Sequence, residues 1–275
     1  MLDLTIVGQI DPVAFRLLGW PVRWYGLLIG LGMVIAYVMV MREAKRKQIP
    51  EEKMSDILFW TIIFGFIGAR IYYVIFRLDY YLANPHLILQ VWQGGIAIYG
   101  GIIGGVITIY VLSRRYGVKF FDVLDIAAPA LLVAQIIGRW GNFINQEAYG
   151  YETSRTFLET LRIPEFIINQ MYIDGSYYHP TFLYESLWNL VGLIIILILR
   201  EKKQFFKEGE VAATYIVWYG LGRVWIEGMR MDSLYLGPLR VSQWLSVVLV
   251  IAGISFMIYR RKTQPDLPYY SDNRI

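Results

Sequence analysis

The 275-residue chain contains no cysteine and only two histidines, His86 and His179. The first absence excludes disulfides, thiolate metal sites, a cysteine nucleophile and lipidation of the chain itself. The second argues against a histidine-built metal centre, and no metal or cofactor is expected. Charge is also scarce: Asp, Glu, Lys and Arg supply 17% of residues, where soluble domains carry about 25%. What fills the gap is apolar, since hydrophobic residues reach 56% against roughly 45–50% in soluble proteins. A soluble domain of this length buries its core without that surplus. The composition therefore points to a polytopic membrane protein whose partner is the lipid bilayer and not a nucleic acid.

Seven apolar stretches are long enough to cross the hydrocarbon as helices, which takes about 20 residues each. They are Trp24–Met41, Ile57–Phe76, Gly94–Leu112, Val123–Phe143, Thr181–Leu199, Glu210–Met229 and Val241–Tyr259. The N-terminus has neither the basic start nor the small-residue cleavage site of a signal peptide, so the first span is expected to be retained.

Loop charges choose the orientation. The segments after spans one, three, five and seven hold 16 of the 26 Lys and Arg residues, including every lysine. The opposite side holds 7, all arginines, and Arg70, Arg139 and Arg223 lie inside spans. An odd number of spans fits this alternation, with the N-terminus outside and the C-terminus inside. The expected fold is thus all-α and integral to the membrane, one transmembrane domain over residues 1–262. A small extracytoplasmic cap is expected over about 145–180, and residues 263–275, with Pro265 and Pro268, read as a disordered cytoplasmic tail.

Polar groups inside spans carry the functional information, because a charge at the bilayer centre costs roughly 2.5–3.5 kcal/mol. Arg139 and Asn142 stand at i, i+3 near the outer end of span four, and Asn145 continues the row. Snorkelling explains one arginine but not amides beside it. On span six Tyr219, Arg223, Glu227 and Arg230 follow i, i+4, i+8 and i+11, a single stripe in which Glu227 can hold Arg223 in place. Arg70 on span two reads as a snorkelling or helix-pairing arginine. Tyr25 and Gly26 open span one. Span three carries overlapping small-xxx-small pairs, Gly100–Gly104 and Gly101–Gly105, that let a neighbouring helix approach. Tyr99 stands among these glycines with room for a ligand beside its hydroxyl. His179 is a proton-transfer candidate by chemistry, although a lone histidine before Pro180 is more often an interfacial residue.

Two intramembrane arginines near one leaflet suit an anion at the membrane surface, and the planar guanidinium fork suits phosphate. A lipid phosphate reaches that depth without a water-filled path, so the residues point to a protein that binds or processes phospholipid. A transporter of an anionic lipid would need polar groups in both leaflets, yet the inner half of each span is nearly free of them. A membrane scaffold would leave the arginines without a purpose.

The run Gly138-Arg139-Trp140-Gly141-Asn142-Phe143-Ile144-Asn145-Gln146-Glu147, continuing to Gly150, resembles the signature of bacterial prolipoprotein diacylglyceryl transferases. The resemblance extends to Arg23-Trp24-Tyr25-Gly26, Gly94-Gly95 through Gly101, His179-Pro180-Thr181 with Leu183-Tyr184-Glu185, and Tyr219-Gly220 with Arg223, Glu227 and Arg230. It implies seven spans in a bacterial cytoplasmic (inner) membrane. It also implies transfer of the diacylglyceryl group of phosphatidylglycerol to the lipobox cysteine thiol of a preprolipoprotein signal peptide, forming a thioether and releasing glycerol 1-phosphate. Carried over by position, Arg139, Arg223, Tyr99 and Glu147 are the expected catalytic group. Tyr25, Gly26, Asn142, Asn145, Gly150, Tyr219, Glu227 and Arg230 are the expected substrate-binding residues. In one place the chain departs from the pattern: Tyr99 stands where some family members carry a histidine. A phenol with a pKa near 10 is a poor base, so Tyr99 is expected to orient substrate while Glu147 or the lipid phosphate takes the proton.

Overall fold

A computed structural model describes residues 9–231 and 235–272. Its long helices fall where the apolar runs predict them: α1 Trp24–Arg46 and α2 Glu51–Ile75, then, after the short α3 Leu78–Ala83, α4 Ile98–Tyr116 and α5 Phe120–Asn145. Two more short helices, α6 Arg155–Thr160 and α7 Glu165–Gln170, precede α8 Thr181–Glu201, α9 Glu210–Met229 and α10 Val241–Thr263. Among the described residues five helices are long and apolar enough to cross a membrane, namely α1, α2, α5, α8 and α10. The other two expected spans are helices of 19 and 20 residues. α4 ends in Arg114 and Arg115, and α9 carries Glu210, Arg223 and Glu227, which lowers their apolar content.

The fold is mainly helical without being purely so. β1 Val13–Leu17 and β2 Trp20–Arg23 form an antiparallel hairpin ahead of α1. β3 Glu152–Thr153, β4 Tyr172–Ile173 and β5 Ser176–Tyr178 make a small sheet in which β5 is central. β6 Tyr235–Leu236 and β7 Leu239–Arg240 form a second short hairpin before α10. These segments lie outside the helices, where the chain must satisfy backbone groups without helical neighbours.

The chain folds as two compact units, one made of residues up to Met39 with Ala127–Asp272, the other of Val40–Ile126. In the second unit α2 and α4 pack through glycine. A Cβ on Gly68 would lie 2.5 Å from the Gly100 carbonyl oxygen, and one on Gly104 would lie 2.5 Å from the Phe64 carbonyl. The small-xxx-small pairs read from the sequence therefore do bring two backbones together, and the partner helix supplies its own Gly65 and Gly68.

In the first unit α8 and α9 are joined by a reciprocal tryptophan pair. Trp188 Nε1 donates to Trp218 O at 3.0 Å and Trp218 Nε1 donates to Trp188 O at 2.9 Å. The indoles stack at 4.5 Å, and each fits where the partner helix has a glycine, Gly222 opposite Trp188 and Gly192 opposite Trp218. Residues 146–180 form a folded cap on the C-terminal end of α5. Its core is Phe143, Ile167, Met171, Ile173 and Phe182, with Phe143 and Phe182 stacked at 4.4 Å. Buried Gln170 ties the cap down, donating to Ile144 O at 3.2 Å and accepting from Ile10 N at 2.9 Å.

Where proline suggested a disordered tail, residues Gln264–Asp272 lie against the segment between α8 and α9. Tyr270 is 1% exposed and its N–H donates to Phe206 O at 2.7 Å; Lys207 pairs in a β-bridge with Tyr269. Two tyrosines supply the apolar surface that the proline-rich composition conceals.

Candidate functional site

The chemistry gathers where α5, α8 and α9 meet beneath the cap. Arg139 on α5 places Nη2 2.6 Å from Glu185 Oε1 on α8. Arg223 on α9 places Nη1 3.6 Å from Glu185 Oε2 and Nη2 2.5 Å from Glu227 Oε2. The carboxylate side chains are 7% and 5% exposed, whereas the side chains of Arg139 and Arg223 are 22% and 16% exposed. The arginine side chains are thus partly accessible while the acids are buried. Four formal charges, two of each sign, form one network, so each guanidinium has a partner that offsets its cost in an apolar span. Arg223 Nη1 is buried and makes no hydrogen bond to a described residue.

The network continues toward the cap. Arg139 Nη1 donates to Asn142 Oδ1 at 3.2 Å, and Asn142 Nδ2 donates to Glu147 Oε1 at 2.8 Å. Glu147 is exposed, and its N–H returns to Asn142 O at 3.0 Å. The predicted amide row is thus half present. Asn145 ends α5, and its Oδ1 is buried without a hydrogen bond to any described residue.

Tyr25 packs on Gly141 of α5. A Cβ on Gly141 would overlap the Tyr25 ring, so the missing side chain lets α1 lay its tyrosine against α5. Gly26 beside it faces open space. Gly150 is a convergence point: its N–H donates to His179 O at 2.9 Å, it forms a β-bridge with Arg230, and a Cβ there would lie 2.8 Å from the His179 Cβ. Tyr219 stacks on Tyr215 at 6.2 Å along the same face of α9 as Arg223.

Three readings from the sequence change. The stripe on span six stops at Glu227, because α9 ends at Met229 and Arg230 is extended, with φ −77° and ψ 146°. Arg70 is not a snorkelling side chain. It donates to the carbonyls of Leu87, Ile88, Gly94 and Gly95 at 2.6–2.8 Å and lies over the Tyr81 ring, clamping the segment that leads into α4. Glu185, in sequence only one member of a motif, is the residue both arginines share. An acid inside an apolar span is the signal that could have found it, the same one that singles out Glu227.

Tyr99 lies in the other unit, second residue of α4; the residue is 38% exposed and its ring lies 6.4 Å from that of Tyr72. His179 packs against the rings of Tyr151 and Phe157 at 5.1 and 5.2 Å, with Nδ1 3.2 Å from Tyr184 Oη. Burial pushes its imidazole below the usual histidine value, keeping it neutral near pH 7.

A family model described as prolipoprotein diacylglyceryl transferase matches residues 12–259. The chain belongs to the prolipoprotein diacylglyceryl transferase family. It is 53% identical over 277 residues to the phosphatidylglycerol–prolipoprotein diacylglyceryl transferase of Lysinibacillus sphaericus, covering 99% of this chain and 100% of that protein. It is 50% identical to the Listeria innocua protein of the same name, covering 98% of this chain and 96% of that one. The Bacillus cereus protein of that name is 51% identical, with 98% and 99% covered. As a diacylglyceryl transferase, the chain is a multi-pass membrane enzyme of lipoprotein biosynthesis whose substrates are phosphatidylglycerol and a prolipoprotein.

Proposed function

We propose that this transferase moves the diacylglyceryl group of phosphatidylglycerol onto the lipobox cysteine of a preprolipoprotein signal peptide at the Arg139–Glu185–Arg223 network. The observation that carries the reading is the convergence of two partly exposed arginine side chains from separate helices on one buried carboxylate. Arg139 and Arg223 hold the lipid phosphate, and Glu185 and Glu227 hold the arginines at the spacing that phosphate needs. The cysteine sulfur attacks the glyceryl carbon that bears the phosphate. A C–S bond forms, the C–O bond breaks, and its electron pair leaves with glycerol 1-phosphate. Negative charge then grows on the departing phosphate, where the guanidiniums stabilise it. The thiol proton goes to exposed Glu147, coupled to Arg139 through Asn142.

Tyr25, Gly26, Asn142, Asn145, Gly150, Tyr219, Glu227 and Arg230 shape the substrate-binding surface, and Tyr99 orients substrate. Seven spans, α4 and α9 included, place the N-terminus and the 145–180 cap outside a bacterial cytoplasmic (inner) membrane and the C-terminus inside. The confinement of every lysine to one set of loops supports that orientation. The test is incubation of purified protein with phosphatidylglycerol and a lipobox peptide. A thioether-linked diacylglyceryl peptide is expected; its absence, under conditions where a relative is active, overturns the reading.

A further inference from the structure

One helical turn below the arginines lies a second polar layer, in which only Tyr219 has a role so far. α5 and α8 are held in register by Arg139 with Glu185 and by Ser186 Oγ, which donates to Ile136 O at 3.3 Å. A turn farther from the cap, about 5.4 Å along each axis, Arg139 gives way to Gln135, Glu185 to Asn189 and Arg223 to Tyr219. Gln135 Nε2 crosses to α9 and donates to Tyr215 Oη at 2.9 Å. Asn189 is 1% exposed, and its Nδ2 is buried with no hydrogen-bond acceptor among the described residues. Gln135 Oε1 is likewise buried without a donor among them. Buried side-chain N–H groups are nearly always paired, so an amide left open beside a binding site calls for a ligand acceptor.

The chemistry of that acceptor is constrained. None of these four side chains carries a formal charge, which excludes a second phosphate. Its depth also selects the ligand. In a phosphoglyceride the ester carbonyls sit a few bonds from the phosphate on the acyl side, which is the direction from the arginine layer to Asn189. We propose that Asn189, beside the Gln135–Tyr215 pair, forms a subsite for the ester carbonyls of the diacylglyceryl group. The proposal rests on the reading that Arg139 and Arg223 hold the lipid phosphate. Held at the phosphate and at a carbonyl, the lipid presents the carbon between them in one orientation to the thiol. Asn189 is then a specificity-determining residue that distinguishes diester from diether lipid.

The experiment compares phosphatidylglycerol with its dialkyl-ether analogue of equal chain length, using the full chain and a lipobox peptide. Wild-type protein is expected to show a KM about three- to tenfold higher for the diether, the loss of one hydrogen bond. Asn189→Leu should raise the KM for the diester to the diether value and leave the diether KM unchanged. Three outcomes overturn the proposal: wild-type protein that treats both lipids alike, Asn189→Leu that keeps the wild-type preference, or Asn189→Leu that weakens both lipids equally. The first needs no variant to fold. Failure of the phosphate reading would show separately, as unchanged KM and kcat for both lipids in Arg139→Ala and Arg223→Ala.

Discussion

Glu185 is shared by two arginines from different helices, with Oε1 2.6 Å from Arg139 Nη2 and Oε2 3.6 Å from Arg223 Nη1. One carboxylate on α8 therefore sets the distance between guanidiniums on α5 and α9. Neither arginine could hold that distance through its own helix, because Asn142 and Glu227, their local partners, move with them.

Glu185→Gln keeps the shape and removes the charge, and it should reduce kcat roughly 100-fold by letting the guanidiniums shift. Membrane insertion, checked by fractionation, should be unaffected. Near-normal turnover in this variant would show that the shared carboxylate does not set the site.

Arg139→Ala and Arg223→Ala should each lower transfer by at least ~100-fold, the usual cost of losing a donor to a developing oxyanion. The double variant should be little worse than either single one, since residues that act as a unit are not additive. Strictly multiplicative losses would mean that the two arginines bind different groups.

Gly141→Ala inserts a methyl where the Tyr25 ring lies. Its activity should fall as far as that of Tyr25→Ala, and combining the two changes should add nothing, because both remove the same ring from the same place. An additive double variant would separate Gly141 from Tyr25.

Gly222→Ala forces a Cβ into the Trp188 indole and disturbs its hydrogen bond to Trp218 O. Overpacking of this kind typically costs about 1–3 kcal/mol. A lower thermal midpoint in detergent is expected, with activity retained at low temperature; an unchanged midpoint would show that the tryptophan pair is not a constraint on α8 and α9.

Acid should loosen the cap. Burial holds the His179 pKa below its unfolded value of 6.5, so the unfolded chain binds the proton more readily. Stability therefore falls as pH drops through about 6.5 and levels off only below the folded pKa. Proteolysis of the 146–180 segment should accelerate from pH 7 to pH 5.5 in wild-type protein and lose that dependence in His179→Phe. Equal acid sensitivity in the variant would assign the effect to another group.

Much of the architecture is legible in the sequence because its cause is local. Apolar runs near 20 residues long announce the helices, the Gly100–Gly104 spacing announces a close helix contact, and Arg139, Arg223 and Glu227 stand out as charges in the wrong solvent. The misreadings have a common origin. Arg70 resembles any arginine near a span end until the loop carrying Leu87, Ile88, Gly94 and Gly95 folds over it. Arg230 continues a helical stripe on paper, but α9 has already ended.

By itself, then, the order of residues determined which segments are too apolar for water and which charged groups must find partners, since both follow from transfer energies summed over a short window. Only the tertiary structure decided that Glu185 is the common partner and that Asn189, one turn along the same helix, has no acceptor among the described residues. Those relationships depend on the rotation and axial offset of α5, α8 and α9 against one another, and no single helix carries that information in its own sequence.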